Sequence, residues 1–310
     1  MPVGTTMSAS TMFRYTLLDQ DNNLIRQGLA KLKPVLWLRD RKKVKQIEQA
    51  KTAEALLDLS GQATGLADET WFEQMRRFGP EILPLISERL KKLKDISDTG
   101  TQDTILEKLI AELRWRGEAG GEVLLDCFDN LPPYGRCLAC IVIGRLNMQS
   151  GADKVWAFYR QSFRYRGESF FIGALWGLID LRDERVSEAL ADLLRQQNYF
   201  YELFGFVALA GDARSVVLLL QAAMNIPRKQ AIDPSMALVS VAHRIGREAL
   251  LVELKKATPR ETRAMREVAA DGILSKPASY AEAHFELFYQ GFTAEDLERN
   301  PRWSASRIPG

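Results

Sequence analysis

Residues 174–194 read ALWGLIDLRDERVSEALADLL, and this stretch decides the fold. Phe170, Phe171, Ala174, Leu175, Leu178 and Leu181 follow the i, i+3, i+4, i+7 spacing of one helix face. Arg182-Asp183 interrupts the pattern, and Asp183 is placed to cap a second helix. Val186, Ala189, Leu190, Leu193 and Leu194 then resume it. The result is a helix pair with one apolar side per helix. Neither helix can bury that side by itself. A neighbouring pair must supply the missing surface, at roughly 25 cal/mol per Å² of apolar area removed from water.

The same phrase recurs along the chain. Residues 203–223 read LFGFVALAGDARSVVLLLQAA, with Gly211 ending one helix and Asp212 capping the next. From Val216 to Leu220 the second helix is apolar almost all round, as expected of a helix covered on more than one side. Upstream, Ile105, Leu106, Leu109, Ile110 and Leu113 precede a Gly-rich turn and then Val123, Leu124 and Phe128. Ala139, Val142, Ile143 and Leu146 precede Val155, Phe158, Tyr159 and Phe163. The first unit holds Trp71, Phe72, Met75 and Phe78, then Ile82, Leu85, Ile86 and Leu90 after Gly79-Pro80. The weakest holds Leu238, Val241, Ala242 and Ile245, then Leu250, Leu251 and Leu254. The aligned pivots Phe78, Leu113, Leu146, Leu181, Leu209 and His243 lie roughly 28 to 35 residues apart, in the range of two-helix repeats.

On these turns the chain resembles the HEAT-repeat family and the short HEAT-like repeats of bacterial proteins. The residues that carry the likeness are Leu181-Arg182-Asp183 to Val186, Leu209-Ala210-Gly211-Asp212 to Val216, and Phe78-Gly79-Pro80 to Ile82. The resemblance covers about residues 66–257. It implies an all-α fold, a right-handed α-solenoid of about six HEAT-like helix pairs with helical caps. Members include scaffolds, cargo carriers, bilin lyases and one class of DNA glycosylases, so the motif specifies shape and not chemistry.

Composition fits a globular protein: of 310 residues, 46% are hydrophobic and 26% charged. A formal net charge of +2 is too mild to imply nucleic-acid binding from bulk charge. Three cysteines imply no disulfide framework and point to a reducing, cytoplasmic setting. The first residues lack the apolar core of a signal peptide, and no apolar run approaches the ~18 residues of a membrane span.

The expected organisation is a disordered tail (1–12), an N-terminal helical cap (13–65), the repeats (66–257), a C-terminal helical cap (258–300) and a tail (301–310). Thr258-Pro259-Arg260-Glu261 has the composition of a helix start. Tyr280, His284, Phe285 and Phe288 suggest a further amphipathic helix.

Several residues invite a chemical reading. Cys137 and Cys140 form a Cys-x-x-Cys, with Cys127 ten residues earlier. Zinc would need a fourth ligand, and His243 and His284 are the only histidines, so packing in an apolar helix accounts for the cysteines better. His243 and His284 are expected as packed residues, His243 in a slot that other units fill with Leu. Between Arg26 and Lys51 the chain is basic: Lys31, Lys33, Arg39, Arg41, Lys42, Lys43 and Lys45 form an electrostatic patch beside Trp37. It reads either as a solvated helix face or as a footprint for phosphates or an acidic protein.

Arg160, Arg164, Tyr165 and Arg166 interleave with Phe158, Tyr159 and Phe163, with Trp156 alongside and Arg195 further on. In HEAT-like pairs the second helix lines the concave side, so the resemblance places this cluster in the groove. Arginines among aromatics suit anion recognition, base stacking or a protein hot spot. They equally suit guanidinium stems lying over aromatics between repeats.

No phosphate loop, dinucleotide fingerprint, nucleophile elbow or zincin helix is present in the sequence. No cofactor, metal or membrane is expected. The leading expectation is a non-catalytic scaffold that holds a protein or peptide partner on its concave face. Nucleic-acid binding is the alternative, extending to DNA-glycosylase-like chemistry, and a bilin-lyase-like protein is a third.

Overall fold

The computed structural model describes residues 39–63, 66–162, 170–197, 199, 203–226 and 232–277. Every regular element among them is helical. The helices are α1 (residues 39–49), α2 (Ala53–Leu59), α3 (Leu66–Met75), α4 (Leu83–Lys91), α5 (Thr99–Trp115), α6 (Glu118–Cys127), α7 (Pro133–Arg145) and α8 (Ala152–Ser162). They continue as α9 (Phe171–Asp180), α10 (Arg185–Arg195), α11 (Leu203–Ala210), α12 (Arg214–Asn225), α13 (Ile232–Ile245), α14 (Arg247–Ala257) and α15 (Arg263–Leu274). The described residues form two compact units, divided between Gly177 and Leu178.

Within each unit most helices pack on the sequence neighbour and on the helix after that. In the first unit α2, α4 and α6 form one layer, and α5 packs on α7 in the other. In the second unit α10, α12 and α14 form one layer, and α11, α13 and α15 the other. This alternation is the packing of an α-solenoid: each pair covers the apolar side of the next. The core follows the sequence stripes. Leu106, Leu109 and Leu113 of α5, Ile141, Val142 and Ile143 of α7, and Leu190, Leu193 and Leu194 of α10 are all buried. A leucine buried in this way contributes about 1.5–3 kcal/mol.

The ends of four helices show how the sequence sets the repeat. After α5, α7, α9 and α13 the chain turns through a left-handed residue: Gly117 (φ 64°), Asn147 (φ 53°), Arg182 (φ 56°) and Gly246 (φ 81°). At two of them the turn is closed by six-residue bonds, Met148 N–H to Ile143 O at 3.0 Å and Asp183 N–H to Leu178 O at 2.9 Å. Gly and Asn tolerate that conformation, whereas Arg182 adopts it at a cost.

Some expectations need correction. Of the expected Gly-rich turn after α5, only Gly117 is in the turn, while Gly120 and Gly121 lie inside α6. A Cβ on Gly120 would sit 1.9 Å from Leu113 O, so the glycine is there to let α6 approach the end of α5. Thr258 does not start a helix: it closes α14, its hydroxyl donating to Leu254 O at 2.8 Å. Thr262 caps α15 instead, accepting from Met265 N–H. Asp183 and Asp212 do accept the first helical N–H, from Arg185 and Arg214, both at 2.9 Å. Each also grips the guanidinium of that same arginine, so Asp-x-Arg is the local unit that starts α10 and α12.

Candidate functional site

The first unit holds the expected arginine–aromatic region. On α8, the Trp156 ring stacks on Tyr159 at 5.4 Å between centroids and 29° between planes. Tyr159 is buried and Trp156 half-buried, so the indole is held against a core ring while part of it stays accessible. Arg160 is exposed four residues on from Trp156, which places it one turn along the same face. Arg164, Tyr165 and Arg166 lie outside the described residues, as do Lys31, Lys33 and His284. On the other flank of α8 is an open cleft of about 270 Å³ lined by Phe128, Asp129, Arg136, Lys154, Phe158 and Gln161, among others. Lys154 bridges it to Asp129 at 2.7 Å. Arg136 is tied down by the carbonyls of Leu131 and Asp129, at 2.9 and 2.8 Å.

Arg39, Arg41, Lys42, Lys43 and Lys45 are all exposed on α1, around a buried seam of Asp40, Val44 and Ile47. Arg39 is paired with Asp40 at 2.7 Å. Arg195, in the second unit, is paired with Asp192 one turn back on α10.

Cys137 and Cys140 are buried in α7, and burial pushes the Cys137 thiol up to about 12 and Cys140 well above its usual value. They sit where α9 comes closest. A Cβ on Gly173 would lie 2.5 Å from Cys137 O, and one on Gly177 only 2.3 Å from Cys140 O. Small side chains on α7 and glycines four apart on α9 allow two helix backbones to meet, and inert thiols are part of that contact. His243 is hydrogen-bonded as expected, Nε2 to Lys276 O at 2.7 Å, but it is exposed and not packed.

The sequence reading missed two polar clusters in the first unit. In one, the Tyr134 hydroxyl of α7 donates to Glu107 of α5. Lys108, buried, lies 2.9 Å from Asp68 Oδ1 of α3, an ion-pair distance without hydrogen-bond alignment. Burial raises the Glu107 carboxyl above its ordinary 4.5, partly offset by the Tyr134 bond and Lys108. Burial likewise raises Asp103, and burial with the neighbouring Glu107 raises the Tyr134 phenol. Perturbed groups of this kind mark functional sites and structural networks alike. The cleft beside α8 does not reach this cluster.

In the other cluster Arg116 closes α5. Its guanidinium donates to the carbonyls of Met75, Phe78 and Gly79 at 3.1, 3.2 and 2.9 Å and pairs with Glu112, which is fully buried. Arg76 and Arg116 lie over the half-exposed Trp115 ring at 4.9 and 5.7 Å. In the second unit Arg244 does the same job, donating to Gly211 O at 2.6 Å and to Ala208 O. The orphan carbonyls at one helix end are thus satisfied by an arginine from two helices on. The signal was legible in principle: Arg76, Arg116, Arg145 and Arg244 stand at or beside the ends of α3, α5, α7 and α13.

Among the described residues no group of three His, Cys, Asp or Glu side chains could hold a metal ion, and no helix is long and apolar enough to cross a membrane. No family model matches the chain, and no curated protein or solved structure matches it either.

Proposed function

We propose that this protein is a non-catalytic, HEAT-like repeat scaffold that holds a protein or peptide partner, with α8 as its anchor. The observation that carries the reading is the Trp156–Tyr159 stack with Arg160 one turn away. A rigid, half-exposed indole beside a guanidinium is the composition of a protein hot spot, because little side-chain freedom is lost when it is covered. The cleft along the other flank of α8 adds polar groups, the Lys154–Asp129 pair and Gln161. The test is affinity capture and then titration of the captured partner with the full chain, its Trp156→Ala variant and its Arg160→Glu variant. Each variant is expected to bind at least ~10-fold more weakly, Arg160→Glu with an unchanged Tm and Trp156→Ala with a fall of a few degrees from the lost stack but a fully folded chain. A partner held equally by all three removes α8 as the anchor.

A second reading is favoured by α1. Five exposed cations within seven residues, from Arg39 to Lys45, suit phosphates. Fluorescence anisotropy with labelled duplex and single-stranded DNA distinguishes the two. Tight binding that weakens steeply with salt and is lost in Lys42→Glu/Lys45→Glu favours nucleic acid.

A further inference from the structure

The layer formed by α10, α12 and α14 leaves one side uncovered. On α12, Val216, Leu219 and Ala222 are buried, and the opposite side presents Val217, Leu220 and Met224 with Gln221 between them. Met224 is 77% exposed, and Val252 of α14 is 56% exposed. α12 packs on α10 at one flank and on α14 at the other, so these apolar residues stand in the middle of the layer. Charged residues border them. Glu188 and Arg195 are exposed on α10, opposite its buried Val186, Leu190 and Leu193. Glu248 and Lys255 are exposed on α14, opposite its buried Leu250 and Leu254.

The charges on this face complement themselves. On each helix a first-turn residue and the residue seven positions later share the uncovered side. They are Glu188 and Arg195 on α10, Val217 and Met224 on α12, and Glu248 and Lys255 on α14. Both charged helices thus carry an acid at the start and a base at the end. A second copy laid face to face and antiparallel meets each helix with its own image: acid on base, and apolar on apolar. A single two-fold axis has to serve all three helices. The midpoints of the pairs fall between 191 and 192, 220 and 221, and 251 and 252. With the helix starts at Arg185, Arg214 and Arg247 level, as stacked repeats place them, the midpoints lie within about 3 Å of one line across the layer. Within one copy the charges are loosely held. Glu188 lies 3.8 Å from Arg214 and Glu248 3.9 Å from Arg247, and Arg195 pairs with Asp192 of its own helix. Exposed pairs of this kind are worth little and exchange partners readily. Helices of 11 and 12 residues, about 17 Å long and 8–10 Å apart, present roughly 400–500 Å² per copy. That is near the lower limit for specific association, so the contact it supports is a reversible one.

We propose that this face joins two copies of the chain in a two-fold dimer, with α12 antiparallel on α12 of the second copy. Val217 then lies against the partner's Met224, Glu188 against the partner's Arg195, and Glu248 against the partner's Lys255. The contact involves no residue of α8 and stands whether or not α8 anchors a partner. Sedimentation equilibrium of the full chain from about 1 to about 500 μM tests it. The wild type is expected to pass with concentration from 35.0 kDa to twice that mass. Met224→Asp puts two carboxylates at the apolar centre and should remain at 35.0 kDa throughout. Its far-ultraviolet circular dichroism should be unchanged, because the side chain is exposed. Glu248→Lys and Lys255→Glu each set like charges together twice and should raise the dissociation constant roughly tenfold. Combined in one chain they restore opposite pairs, and the constant should return to within about threefold of the wild type. A wild type that stays at 35.0 kDa overturns the proposal. So does a dimer that Met224→Asp leaves intact, which places the contact elsewhere. A combined variant no tighter than the single ones also overturns it, because the helices then do not meet in antiparallel register.

Discussion

At the residue scale, Arg116 and Glu112 illustrate what a buried pair does in a helical stack. The guanidinium satisfies three carbonyls at the start of the α3–α4 turn, and Glu112 fixes its position from inside the core. Burial raises the Glu112 carboxyl, and the attraction of Arg116 opposes that rise. Removing Arg116 alone leaves a buried acid and takes one donor from each of three carbonyls, of which Met75 O and Gly79 O keep the N–H of Phe78 and Ile82. Arg116→Leu is expected to cost about 3–5 kcal/mol in urea unfolding, and adding Glu112→Leu should recover part of the loss. An Arg116→Leu variant as stable as wild type would show the pair to be unimportant. Glu107 yields a prediction in pH. Its folded value lies above its ordinary 4.5, so between the two the native state holds more protons than the unfolded chain. Its contribution to stability is therefore present below 4.5 and lost as pH rises through the raised value. Glu107→Gln keeps an oxygen for the Tyr134 hydroxyl and removes the charge. Relative to wild type, this variant should gain Tm on going from pH 4.5 to neutrality, and a constant difference across that range would refute the assignment.

At the scale of elements, the contact between α7 and α9 depends on glycine. Gly173 and Gly177 lie one turn apart, each against the backbone of a cysteine on α7. Gly177→Ala forces the two helices apart and is expected to destabilise by about 1–3 kcal/mol. Gly100→Ala is the control. Gly100 is helical, and its nearest neighbour is 3.9 Å from an added Cβ, so alanine should stabilise by roughly 0.5–1 kcal/mol. Thermal unfolding of the two variants, read side by side, separates crowding from propensity. The left-handed residues after α5, α7, α9 and α13 belong to the same scale. Each ends one helix sharply enough for the next to fold back, and their recurrence is the structural form of the repeat seen in the sequence.

At the scale of the molecule, stability is distributed over neighbouring contacts and not over one central core. A core leucine is then shared by more than one helix, and its loss is felt beyond its own. Leu178→Asp, at a position with no exposure, is expected to cost roughly 4 kcal/mol in denaturant unfolding. A near-wild-type midpoint would mean that the apolar stripe of α9 is not where the periodicity puts it.

Periodicity alone determined the class of the fold. Spacing of three and four places the stripes of α5, α7 and α10 correctly, because a helix buries the same side wherever it is packed; α12, apolar almost all round, buries Val216 and Leu219 and leaves Val217, Leu218 and Leu220 half-buried. The basic residues of α1 were legible as exposed for the same reason, since lysine and arginine leave a buried seam at Val44 and Ile47. Tertiary structure decided everything that joins one helix to another. Glu107 meets Tyr134 across 27 positions and Lys108 meets Asp68 across 40, distances over which no local pattern operates. Gly120, which reads as a turn, is inside a helix because another backbone needs its missing side chain. Thr258, which reads as a cap, yields to Thr262 because its hydroxyl is used to close α14. Local sequence sets the period of a helix. Which neighbour fills each face depends on how the chain returns, and that is a property of the packed whole.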